Sequence, residues 1–120
     1  VWERRLKMMT EKRVLMCVFK PGKLKTTPEM REWYASSYPR FLEMESVEFK
    51  CWWVDQEKQE WGAFYVFKSE EALKEYIASD IWQKVVPEKY GCKPIWTIVE
   101  VGLIISKKII TTKENSWMSD

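Results

Sequence analysis

The sequence contains no histidine among its 120 residues. A Ser-His-Asp triad is therefore impossible, because no imidazole is present to take the serine proton. Glycine is scarce, at four residues, and no Gly-rich phosphate loop occurs. Zinc-ligand spacing and paired catalytic carboxylates are missing too. Neither sign of charge dominates: 20 Lys and Arg stand against 18 Asp and Glu, a net charge of +2. That balance leaves no electrostatic footprint for nucleic acid or an anionic membrane. No apolar run is long enough to span a bilayer. The three cysteines, Cys17, Cys51 and Cys92, are odd in number, and the first two sit in apolar strand-like runs. They read as buried reduced thiols in a cytoplasmic protein.

Aromatic residues are abundant: 8 Trp, 5 Tyr and 5 Phe. Each large ring buries roughly 150–250 Å². At about 25 cal/mol/Å² that is up to roughly 4–6 kcal/mol per ring, as an upper bound. The 46% hydrophobic content is ample for a core. One 120-residue domain has limited interior for so many rings. Some of them are expected to line a pocket or a subunit interface.

Three segments are expected. Residues 1–11 form an N-terminal extension, whose basic start, VWERRLKM, reads as a presequence remnant or an artificial leader. Residues 12–105 form one domain, and residues 106–120 a polar tail in which Ile109 and Ile110 can add a short strand. Within the domain, KRVLMCVFK (12–20) reads as a strand closed by Pro21-Gly22. Residues 26–45 read as a helix with Thr27 as cap and Pro28 in its first turn, interrupted by Pro39. VEFKCWWV (47–54) and WGAFYVFK (61–68) read as a hairpin across a short polar turn. Ser69 caps a second helix. A short helix follows Ser79 and stops before Pro87, and residues 94–105 make the last strand.

The order β-α-β-β-α-β predicts an α+β domain of the ferredoxin-like type, an antiparallel sheet with helices on one face. The strands are apolar on both faces, whereas a sheet with one wet face alternates apolar and polar. By strand parity Trp61, Ala63, Tyr65 and Phe67 share one side, and Gly62, Phe64 and Val66 share the other.

WGAFYVF (61–67) superficially resembles the third strand of an RNA-recognition domain, which has the same element order. Gln59-Glu60-Trp61 stands where a basic residue should meet phosphate, and the first strand lacks the partner motif. A second resemblance rests on more residues. Phe67-Lys68-Ser69-Glu70-Glu71-Ala72, then Ile77-Ala78-Ser79-Asp80-Ile81-Trp82, together with Pro39 before Arg40-Phe41 and the charged hairpin turn Asp55–Glu60, resemble the dimeric α/β-barrel superfamily. The group includes antibiotic-biosynthesis monooxygenases, haem-degrading monooxygenases and YdhR-like monooxygenases, and the last are the most similar in pattern.

The resemblance implies a homodimer whose two sheets face each other as a barrel, with a ligand pocket between each sheet and its own helices. It implies a cofactor-free monooxygenase, or a related enzyme, acting on an aromatic or apolar small molecule. Phe67, Trp61, Trp82 and Trp33 are the implied ligand-binding residues. The haem-degrading members place an iron-ligating histidine at the position of Val86, so imidazole-ligated haem is excluded here. The asparagine used by several cofactor-free members has no counterpart, since the chain's one Asn is Asn115. Deprotonation of the substrate would fall to Tyr65 or Tyr34, or to a cation that acidifies the phenol. Arg31 and Lys50 are available for that role, although surface salt bridges are the expected use of both. No cofactor and no metal are expected. A non-catalytic dimeric binding or structural protein on the same scaffold is the alternative.

The sheet that is apolar on both faces generates the first prediction. Light scattering on the purified protein should give twice the 14.5 kDa chain mass. A monomer at micromolar concentration would remove the barrel and return the RNA-binding reading.

Overall fold

The structure, a computed structural model, describes residues 1–20 and 25–105. The Pro21-Gly22 turn and the tail, with Ile109 and Ile110, lie outside the described residues. The elements run α1 (Trp2–Glu11), β1 (Arg13–Phe19), α2 (Thr27–Ala35), α3 (Tyr38–Glu43), β2 (Val47–Asp55), β3 (Glu60–Phe67), α4 (Glu70–Ala78), a π turn (Ile81–Val85), α5 (Val86–Tyr90) and β4 (Ile95–Glu100). The four strands form one antiparallel sheet in the order β2-β3-β1-β4. This is the ferredoxin-like α+β arrangement expected from the element order.

Several boundaries differ from the expected ones, each for a local reason. The cap of α2 is Thr26, not Thr27: its hydroxyl accepts from Glu29 N, and the Glu29 carboxylate returns to Thr26 N. A Thr with Glu three residues later closes this reciprocal box, which Thr27 has no partner to do. The expected helix over 26–45 is two helices. Pro39 has no N–H to donate to Ala35, so the chain stops at Ala35 and restarts with Pro39 in the first turn of α3. Pro87 does not end the short helix after Ser79, because it falls in the first turn of α5, where a missing N–H costs nothing. Gly91, at φ 79°, ends α5 in the left-handed conformation. The last strand covers 95–100 rather than 94–105. Its ladder to β1 ends at the pair Arg13–Glu100, where β1 itself begins. The segment expected as an extension holds α1, which buries no residue.

The core lies between one sheet face and the helices. β3 contributes Trp61, Ala63, Tyr65 and Phe67 to it, each no more than 4% exposed. The alternation of β3 demands this, and Leu15, Cys17 and Phe19 of β1 lie on the same face. Met30, Tyr34, Phe41, Leu73, Tyr76 and Trp82 cover it from above. The opposite sheet face carries Met16, Phe49, Phe64 and Val99, with Phe49 stacked on Phe64 at 5.6 Å. Met16 is 48% exposed and Phe49 46%. No helix in the described residues covers this apolar face.

Gly62 is fixed by the approach of neighbouring backbone. A Cβ there would run into the carbonyl oxygen of Cys17 and lie 3.0 Å from the Trp53 ring. Gly62→Ala should therefore destabilise the protein by about 1–3 kcal/mol, the usual cost of overpacking. Urea unfolding followed by tryptophan fluorescence measures it, and an unchanged midpoint would mean the strands separate at that point without cost.

Candidate functional site

Two hollows lie on the helix side of the sheet and share a wall. The inner cavity, about 30 Å³, sits between β3 and the elements α3, the π turn and α5. The outer groove, about 150 Å³, lies between α3 and the start of β2. Phe41, Lys50 and Trp52 border both. Lys50 pairs with Tyr65 across the β2–β3 ladder, and since Tyr65 points under the helices, Lys50 does as well.

The Lys50 ammonium is enclosed by rings. Its Nζ lies 3.3 Å from the centroid of Phe41, 4.3 Å from Tyr65 and 4.4 Å from Trp52. The residue as a whole keeps partial exposure, consistent with its place on the wall between groove and cavity. Among the described residues the Lys50 amine has neither a hydrogen bond nor a carboxylate partner. Burial holds its pKa well below the ordinary lysine value, and the like charges of Lys89 and Arg40 push the same way. The Cys17 thiol would oppose this only as a thiolate. Burial pushes Cys17 up to about 11, so it is neutral near pH 7 and offers no countercharge. Ring faces favour the cation by about 0.5–2 kcal/mol, whereas withdrawing an ammonium from water costs several kcal/mol. Desolvation wins, and the free amine becomes accessible at lower pH than in an exposed lysine.

The tyrosines of the site behave in the opposite sense. Burial raises Tyr65 and Tyr34 well above the ordinary phenol value, so both stay protonated. Tyr65 shares a hydrogen bond with the Tyr76 hydroxyl at 3.3 Å, and Tyr34 donates to the Trp53 carbonyl at 3.1 Å. Burial also pushes Tyr90 up to about 12. As proton acceptors these groups are out of range at neutral pH; as ring walls and donors they are in place.

Among the expected site residues, Trp61, Tyr34 and Tyr65 line the inner cavity. Trp61 is fully buried, stacks on Phe19 at 4.4 Å, and its indole N–H has no hydrogen-bond partner among the described residues. Phe67, Trp82 and Trp33 do not border it. Phe67 and Trp82 pack around Tyr76, at 5.4 and 5.5 Å, and Trp33 stands edge-on to Tyr90 at 4.9 Å. Arg31 is exposed, while Lys50 is turned inward rather than into the surface salt bridge expected of it. Arg40, Ser37 and Lys89 also line the cavity without having been foreseen. Lys89 donates to the Ser37 hydroxyl at 2.9 Å. Among the described residues no cluster of three or more Cys, Asp or Glu side chains could hold a metal ion.

An unpaired inward lysine predicts a stability signature. The unfolded chain keeps an ordinary lysine pKa of 10.5 and binds more protons than the folded one between the two values. Stability therefore rises with pH through that window, and the Lys50 penalty is largest below the depressed folded value. Lys50→Met should stabilise the protein near neutral pH by about 1–4 kcal/mol, with the advantage shrinking as pH approaches the ordinary value. Urea midpoints of both proteins across that range measure it, and a constant difference would show that Lys50 titrates normally.

Comparison with known proteins reaches the fold. No protein-family model matches this chain, nor does any curated protein sequence. Solved structures do match it. NE2512, a protein of unknown function from Nitrosomonas europaea, superimposes with a TM-score of 0.60 and 15% identity, over 84% of this chain and 97% of that one. A conserved protein from Methanosarcina mazei Go1 gives 0.58 and 14%, over 80% and 98%. SnoaB, a cofactor-independent oxygenase from Streptomyces nogalater, gives 0.51 and 11%, over 83% and 97%. At these identities the likeness establishes a shared ferredoxin-like α+β fold.

Proposed function

We propose that the protein is a cofactor-free monooxygenase, or a related enzyme, that acts on an aromatic small molecule and works as a homodimer. The reading places it with the YdhR-like and antibiotic-biosynthesis monooxygenases of the dimeric α/β-barrel group. The observation that carries it is the Lys50 amine, held among three rings on the wall of the cavity with no counterion among the described residues. The shared fold with SnoaB, itself a cofactor-independent oxygenase, supports the reaction class. The apolar open sheet face supports the dimer.

In this reading the substrate supplies the electrons. The free amine of Lys50 takes a proton from an electron-rich phenol or its keto tautomer, which leaves a stabilised anion beside the ammonium. The anion gives one electron to dioxygen, and the two radicals combine with a proton to form a carbon-bound hydroperoxide. Loss of water from the hydroperoxide leaves a carbonyl. One dioxygen is consumed, one of its oxygen atoms enters the product and the other leaves as water. The buried rings exclude bulk water from the anion. Tyr34 and Tyr65 stay protonated, while Phe67, Trp82 and Trp33 hold the wall residues in position.

The small closed volume of the inner cavity favours a second reading, a binding protein without chemistry. Oxygen uptake separates the two. Purified protein with an anthrone-like substrate should consume oxygen and yield the quinone, with or without a chelator. Lys50→Met should lower the rate by about 10²–10⁴-fold, the usual contribution of a positioned base. Tyr65→Phe should cost less, and the wild-type rate should rise with pH as Lys50 loses its proton. No uptake across a broad panel of phenols would leave the binding reading in its place.

A further inference from the structure

The charged side chains at the inner cavity are all cations. Lys50, Arg40 and Lys89 border it, and among the described residues no Asp or Glu does. The groove has one acid, Glu48, and Lys12 already pairs with it. This lack of acids is local. Elsewhere Arg13 faces Glu70 and Glu100, Lys20 faces Glu60, and Lys84 faces Asp80. The unpartnered indole N–H of Trp61 is a further donor at the inner end. The Tyr34 hydroxyl donates to the Trp53 carbonyl and the Tyr65 hydroxyl shares a bond with Tyr76, and among the described residues neither is hydrogen-bonded to Lys50.

We propose that this double hollow binds an aromatic anion, a flat ring bearing a carboxylate or phenolate group, with the ring in the groove and the anionic oxygens on Lys50. The proposal rests on the reading of this cavity as the ligand site, and not on the oxygen chemistry. The groove has about the volume that holds one benzene ring, whereas the inner cavity is closer to that of one water. The ring therefore belongs outside the partition and the small acceptor inside it. Phe41 and Trp52 offer faces to the ring, and Lys50 needs only a rotation of its flexible stem to meet the anion. A neutral ring would bring nothing to stabilise a proton on Lys50, and a cationic ligand would meet the like charges of Arg40 and Lys89.

Binding should also move protons. The titratable groups around Lys50 are Tyr65 from β3, Cys17 from β1, Tyr34 from α2, Arg40 and Tyr38 from α3, Lys89 and Tyr90 from α5 and, in the groove, Glu48 from β2. The carboxylate among them, Glu48, is already held by Lys12, so an incoming anion is what would favour the ammonium. At any pH where Lys50 is partly deprotonated, an anion that arrives without its proton should therefore draw one from the buffer.

Isothermal titration with benzoate and its neutral analogue benzamide, in two buffers of different ionisation enthalpy, tests this. The wild-type protein should bind benzoate at least about tenfold more tightly. Proton uptake should accompany the benzoate and not the amide. Lys50→Met should abolish the preference, and Lys74→Met, on the exposed face of α4, should keep it. Equal affinities for the two ligands would overturn the proposal. So would a preference that survives in Lys50→Met, or no binding of either up to about 1 mM. Proton uptake is read on the wild-type protein, so a poorly folded variant does not rescue the proposal. Benzoate preference without oxygen uptake on any phenol would keep this inference and remove the oxygenase; oxygen uptake without the preference would do the reverse.

Discussion

Strand β3 is hydrogen-bonded on both sides, by β1 and β2, and its odd-numbered side chains Trp61, Tyr65 and Phe67 are almost wholly buried. Three large rings from one strand face require a cover that is itself aromatic and deep. The helices supply it with Tyr34, Phe41, Tyr76 and Trp82, which meet the strand rings edge-on or tilted at 5.4 to 6.4 Å. Such geometries suit ring quadrupoles better than direct face-to-face stacking. The placement of α3 follows from the same demand. Pro39 breaks the first helical segment and lets the chain re-aim, so that Phe41 stands over Tyr65 and Trp52.

Lys50 is the point at which this aromatic layer departs from simple packing. A leucine or methionine at the same register would fill the space between Phe41, Trp52 and Tyr65 without any cost of desolvation. The amine sits there instead, with Arg40 and Lys89 in the same cavity wall and no acid beside them. The unpaired indole N–H of Trp61 adds a second unmet group, of a kind that costs about 1–3 kcal/mol when left buried. A domain rarely retains two such penalties in the wall of one cavity for the sake of its fold. A ligand that brings acceptors and negative charge offsets both.

The two faces of the sheet pose separate problems. The helix face is filled by the chain's own rings. The other carries Met16, Phe49 and Val99 in the open, and β4 is exposed along its whole length. An apolar face of this extent is what a symmetric pairing of two sheets would bury. That pairing would leave the Lys50 hollow on the far side of each sheet, reachable through the groove beside α3.

The element order and the side to which β3 turns its rings were legible in the chain, because alternation with period two fixes the face of every strand residue once one is known. The inward turn of Lys50 was also implicit. A hairpin closed by the pair Asp55–Glu60 carries Lys50 opposite Tyr65, and counting back from the turn would have placed the lysine under the helices. What hid it was the bulge between Val47 and Phe49, which breaks the alternation at the start of β2 and makes the strand's own pattern ambiguous. Of the expected ligand-binding rings, Trp61 borders the cavity and Phe67, Trp82 and Trp33 do not: alternation assigns Phe67 a face but not a depth along the strand, and helical spacing does not say over which part of the sheet Trp33 and Trp82 come to lie. The gathering of Arg40, Ser37 and Lys89 around the cavity depends on how α3 and α5 lie across the sheet. Only the tertiary structure decided that, since it is set by ring-on-ring contacts between segments far apart in the chain.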